Sequence, residues 1–153
     1  MPKNKSAGIL LFRRIHKKPE VLLVHPGGPF WKNKDEGAWT IPKGEFEEGE
    51  DPLGTAIREF TEETGNQPVG AFVSLSPIRQ KSGKWVYAWA LEGDLNAENI
   101  SSNMFEIEWP PRSGRLQSFP EIDRAAWFDF ETARQKINPA QKAFLDELEE
   151  KKK

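Results

Sequence analysis

Three glutamates stand three and four residues apart near the middle of the chain: Glu59, Glu62 and Glu63. On a helix they project within about a 100° arc. As a purely structural device that arc is poor. Like charges at these spacings cost roughly 0.2–0.5 kcal/mol per pair, and the helix dipole disfavours anions near a C-terminus. An acidic helix face is often merely solvated, yet a divalent cation would reverse both penalties. Oxygen-only ligands of this type suit Mg²⁺ or Mn²⁺ better than zinc.

The surrounding sequence supports the metal reading. Upstream, Gly44-Glu45-Phe46-Glu47-Glu48-Gly49-Glu50 reads as a glycine-bracketed acidic loop feeding into the helix. Arg58 stands beside Glu59, placed to hold a carboxylate in one rotamer. The helix itself spans residues 51–64. Asp51 is a good N-cap, Pro52 takes the first helical position and Gly65 ends it. Leu53, Ala56, Ile57 and Phe60 give it one apolar face, which the glutamate arc borders.

Other elements must position this helix. Residues 6–12 and 20–25 are apolar runs of strand length, joined by the polar stretch 13–19. Residues 26–37 (PGGPFWKNKDEG) form a long loop, and ordered long loops are often functional. Further strands are expected at 39–42, 69–74, 85–91 and 125–129, with 77–83 as a turn and 104–109 as an edge strand. Residues 110–114 form a loop, and helical pieces at 131–137 and 139–150 follow. This pattern is an α/β chain with a mixed sheet covered by helices.

Composition narrows the function. The 153 residues suit one domain, 1–153, and contain no cysteine, so thiolate chemistry and disulfides are excluded. Lys and Arg number 22 against 24 Asp and Glu, a net charge of −2, which argues against a dedicated nucleic-acid binder. The chain starts basic, but the apolar run at 7–12 is too short for a signal peptide, and no stretch reaches membrane-span length. A cytoplasmic protein, monomeric or homodimeric, is expected.

Read together, Gly44, five residues, Glu50, seven residues and Arg58-Glu59-Phe60-Thr61-Glu62-Glu63-Thr64-Gly65 resemble the Nudix box, G-x5-E-x7-R-E-U-x-E-E-x-G-U. Every charged and glycine position fits. Asn66 alone departs, where a bulky apolar residue is usual. Residues 7–13 (AGILLFR), 39–44 (WTIPKG) and 120–127 (PEIDRAAW) are similar to flanking segments of Nudix hydrolases. The WTIPKG segment and Trp127-Phe128 are similar to the diadenosine tetraphosphate hydrolase-like and MutT-like branches.

The resemblance implies an α/β/α sandwich around a mixed sheet and a pyrophosphohydrolase acting on acid anhydrides. It places metal on Glu59, Glu62 and Glu63, with the backbone carbonyl of Lys43 as a further ligand. Glu50 is the box position that supports the cluster, between Gly44 and Gly65, and Arg58 orients it. Glu121 stands where related enzymes often place another carboxylate, as ligand or base. For the base that activates water, Glu59 comes first, with Glu62 and Glu121 behind it.

The substrate implied is a small nucleotide: a nucleoside polyphosphate, including dinucleoside polyphosphates such as diadenosine tetraphosphate. The alternatives are pyrophosphohydrolysis of oxidised nucleoside triphosphates and a non-catalytic nucleotide-sensing domain. Lys43 and Arg79 are candidates to meet phosphates, with Arg112 or Arg115 from a loop. Trp85, Tyr87 and Trp89 share one strand face, where a base could stack, although such stripes are more often core. His25 reads as a strand-end residue and His16 as part of a turn.

Overall fold

The computed structural model describes residues 5–152; the basic start at residues 1–4 lies outside them. A long hairpin forms the centre. Strand β1 (Lys5–Ile15) returns as β2 (Lys18–Pro26), with Ile15 opposite Lys18. The two residues between them, His16 and Lys17, both have positive φ (51° and 69°), which matches the twist of a two-residue hairpin turn. The polar stretch after Phe12 is therefore mostly strand.

Around this hairpin the main sheet runs β4-β6-β1-β2-β9, built from Val73–Ser74, Trp85–Glu92, β1, β2 and Ile122–Asp129. Strand β3 (Lys43–Phe46) pairs with the start of β1, and β5 (Ile78–Arg79) pairs with β6. The β1–β6 pair is parallel and the other pairs are antiparallel, so the sheet is mixed.

Strand β1 is buried on both faces, which explains its unbroken apolar run. Ala7, Ile9 and Leu11 pack towards helix α1 (Pro52–Thr64) with Leu22, Ala56 and Phe60. Leu10 and Phe12 pack the other way with Val21 and Leu23. They meet Phe130 and Ala133 of α2 (Phe130–Lys136), and Phe144, Leu145 and Leu148 of α3 (Lys142–Lys151). The result is the expected three-layer α/β/α arrangement.

Several expectations need correction. Residues 39–42 form only isolated bridges, Thr40 with Val24 and Trp39 with Ile137. The strand lies one step later, at β3, so the first half of the expected acidic loop is sheet. Ile41 is instead buried, its N–H held by the side chain of Gln141 (3.1 Å). Of residues 69–74 only the last two are strand, and Val69 is exposed for want of a partner strand. Part of the expected 77–83 turn is β5. Strand β7 (Met104–Glu108) is not an edge of the main sheet. It pairs with an unforeseen β8 (Leu116–Pro120) in a separate two-stranded arm. The last helix begins with a tight 3₁₀ turn at Pro139–Gln141.

Candidate metal and phosphate site

Helix α1 carries the chemistry, and its ends are well fixed. The Asp51 carboxylate accepts from the Gly54 N–H (3.1 Å). Gly65 adopts a left-handed conformation (φ 76°) and donates to the Thr61 carbonyl (2.8 Å). Asn66, the one departure from the motif, donates its side-chain amide to the Thr64 carbonyl (3.0 Å). It therefore satisfies a helix-end acceptor in place of an apolar contact.

Carboxylate oxygens of Glu59, Glu63 and Glu121 lie within 4.8 Å of one another. Glu63 is only 5% exposed. Burial, then the charges of Glu59 and Glu121, push its carboxyl up to about 9, against the pull of Lys43. Burial also raises Glu59, as does its neighbour Glu62; Glu121 is raised by burial and then by Glu62. Desolvated carboxylates this close cannot all ionise cheaply by themselves. A hard divalent cation with oxygen preference removes that conflict, so the donor set fits magnesium or manganese.

Gly44 shows why the motif starts with glycine. A Cβ there would lie 2.1 Å from the Glu59 carboxyl, so the carboxylate rests on bare backbone of β3. On the solvent side, Arg58 Nη1 reaches Glu59 (3.1 Å) and Glu62 (3.3 Å), holding both as the sequence suggests. Glu62 stands at the rim, outside the three-carboxylate group. The Glu50 carboxylate accepts from the Glu47 N–H (2.7 Å) and closes the loop before α1.

Glu121 arrives by backbone bonds that sequence reading missed. The Asn103 N–H donates to the Glu62 carbonyl (2.9 Å), and the Glu121 N–H donates to the Asn103 carbonyl (2.8 Å). The Glu121 carbonyl in turn accepts from the Gly27 N–H (2.8 Å). A Cβ on Gly27 would fall 2.0 Å from the Pro120 carbonyl oxygen, so only glycine permits this approach. The paired glycines at 27 and 28 were the available signal.

Lys43 is half-buried beside the cluster, where burial and then Lys84 hold it below the usual lysine range, opposed by Glu63, Glu45 and Glu59. The other substrate candidates are spread along β6. Trp85 is exposed and lies under the Arg79 guanidinium (5.9 Å). Tyr87 packs edge-on against Phe46 (5.8 Å), and with Trp89 it joins the α1-side core. Arg112 and Arg115 sit at the exposed tip of the β7–β8 arm. His16 is in its turn. His25 is fully buried, bonded to Asp123 (2.8 Å) and the Lys34 carbonyl (2.6 Å), and anchors the 26–37 loop.

The family profile described as NUDIX domain matches residues 2–148. An RNA pyrophosphohydrolase from Bartonella henselae is 27% identical over 154 residues, covering 86% of this chain and 79% of that protein. An asymmetrical bis(5'-nucleosyl)-tetraphosphatase from Caenorhabditis elegans is 39% identical over 59 residues, 39% of this chain and 38% of that one. Among solved structures, the C. elegans Ap4A hydrolase in a binary complex aligns with a TM-score of 0.65 and 23% identity. It covers 95% of this chain and 94% of its own, a likeness of fold. No helix among the described residues is long and apolar enough to cross a membrane.

Proposed function

Because the chain belongs to the NUDIX family and is a pyrophosphohydrolase of acid anhydrides, we propose that it hydrolyses a nucleoside polyphosphate, with dinucleoside polyphosphates such as diadenosine tetraphosphate as the preferred class. The observation that carries this reading is the convergence of Glu59, Glu63 and Glu121 beside a half-buried lysine, Lys43. We take residues 1–153 as a single hydrolase domain.

In this reading Glu59, Glu63 and Glu121 hold Mg²⁺ or Mn²⁺, with Glu62 at the rim and the Lys43 carbonyl as a further ligand. When bound, the metal polarises phosphate oxygens and offsets the charge that develops on them. Glu59 is the first candidate to take the proton from the attacking water, with Glu62 and Glu121 behind it. Arg58 keeps Glu59 and Glu62 in position, while Gly44, Gly65 and the loop-closing Glu50 keep the helix and β3 in register. Lys43 and Arg79 meet phosphates, and Trp85 or Tyr87 stacks the nearer nucleobase.

Two other substrate readings have specific support. Oxidised nucleoside triphosphates fit the same carboxylate chemistry. The name of the B. henselae relative, RNA pyrophosphohydrolase, points to RNA, against which the net charge of −2 weighs. A nucleotide-sensing domain without catalysis is disfavoured by the intact Arg58, Glu59, Glu62 and Glu63.

A product analysis with magnesium separates these readings. The protein is incubated with diadenosine tetraphosphate, nucleoside triphosphates including oxidised ones, and triphosphorylated RNA. The expected result is metal-dependent cleavage, fastest on the dinucleotide, falling at least about a hundredfold in Glu59→Gln as a base or ligand is lost. Preference for a triphosphate would replace the substrate assignment. Glu59→Gln activity within a few-fold of wild type would remove that residue from the mechanism.

A further inference from the structure

The β7–β8 arm stands outside the carboxylate site but is joined to it. Its base is the edge of the cluster: Asn103 precedes β7, Glu121 follows β8, and the two are bonded to each other and to α1. Its far end carries Trp109, whose ring meets Phe30 of the 26–37 loop edge-on (5.3 Å, 77°). Phe30 is 59% exposed and Trp31 beside it 39%. Exposed aromatic surface of this kind usually marks a contact site.

The platform is built, not incidental. Gly28 lies so close to the arm that a Cβ would come 2.8 Å from the Phe105 ring, which lets the loop lie against β7. The Trp109 backbone is bonded at both ends. Its N–H donates to the Arg115 carbonyl (3.0 Å), and its carbonyl accepts from the Gln117 amide (2.7 Å). The Glu108 carboxylate accepts from the Arg112 and Gly114 N–H groups (3.1 Å each) and fixes the tip. Arg112 and Arg115 bring positive charge to this end.

We propose that Phe30 and Trp109 form a stacking site for the nucleobase of the substrate farther from the cleaved bond, so that the enzyme selects for polyphosphate length. This rests on the nucleoside polyphosphate reading above. Trp109 is five residues beyond the arm's first residue, roughly 17 Å along a strand. A nucleotide cleaved beside its own ribose does not span that distance. A second nucleoside on the far side of several phosphates does. Aromatic rings tolerate any base, so the site reads length rather than base identity.

The test compares diadenosine tetraphosphate with ATP in wild type, Phe30→Ala, Trp109→Ala and Trp109→Phe. For the dinucleotide, either alanine variant is expected to raise KM about tenfold, the scale of losing one stacked base, with kcat within about twofold. KM for ATP stays unchanged, and Trp109→Phe restores most of the loss. An unchanged dinucleotide KM overturns the proposal, as does an equal loss for ATP. A dimer in light scattering that Trp109→Ala abolishes also overturns it, since a second copy would then cover the platform. The exposed Phe30 serves as the second variant should Trp109→Ala unfold. If the wild type hydrolyses neither nucleotide, the functional reading fails separately. Calorimetric binding of diadenosine tetraphosphate to Glu59→Gln, with and without Trp109→Ala, then decides the stacking site; a Kd unmoved by the second substitution rejects it.

Discussion

At Gly44 the missing side chain matters as much as the carboxylate above it. The atoms an added Cβ would strike belong to the Glu59 carboxyl and its preceding methylene, the far end of a flexible side chain. Gly44→Ala is therefore expected to fold, with thermal stability close to wild type, while displacing Glu59. Its hydrolytic activity should fall at least about tenfold, in line with misplacing a catalytic group by an ångström or so. Parallel melting curves and rate measurements check this. A large loss of stability, or full activity, would show that Glu59 does not depend on bare backbone at β3. The other residues of the motif divide the work in the same local way. Arg58 bridges two carboxylates, Glu50 closes a loop, and Asn66 replaces an apolar contact by a hydrogen bond to the helix end.

Helix α1 is the element whose ends set the angle at which the glutamates face β3. Asp51→Ala removes the acceptor for the Gly54 N–H and should cost about 1 kcal/mol. For a chain of this size that is a fall in Tm of about 2–4 °C. Calorimetric melting reads it, and an unchanged Tm would mean that the cap contributes nothing. These caps made α1 legible in the sequence, because capping and amphipathic spacing are local signals. Glu59 and Glu63 were legible for the same reason, together with the motif spacing, whereas Glu121 was named only through the family resemblance. The arms of the central hairpin were legible as apolar runs, but their extension through Arg13 and Pro19 was not. That extension depends on a positive-φ turn at His16 and Lys17, which neither residue type advertises. Strand β3 was hidden because Lys43-Gly44-Glu45 carries no strand pattern; its pairing to Lys5–Gly8 is made by backbone. Strand β8 was hidden likewise, and with it the route by which Glu121 reaches the helix.

At the scale of the molecule, two helical layers clamp a sheet whose central strand is buried on both faces, and the site forms where one layer meets the sheet. That frame brings acidic groups together, with Glu63 buried and Glu59 and Glu121 partly exposed beside it. Glu63 shows the consequence: held up to about 9, it carries a proton at neutral pH in the metal-free protein. A cation taking its place among the ligands must displace that proton. The sign is fixed by the direction of the shift. Below about pH 9 metal binding competes with protonation of Glu63, so apparent affinity rises with pH and levels off near that value.

Isothermal calorimetry of magnesium or manganese into the metal-free protein, across buffers of different ionisation enthalpy, tests this account most directly. It should record metal uptake with release of about one proton at pH 7, tighter binding at pH 8 than at pH 6, and a marked loss of affinity in Glu63→Gln. Absence of uptake with nucleotide present, or uptake indifferent to Glu63→Gln, would contradict a metal centre built on Glu59, Glu63 and Glu121.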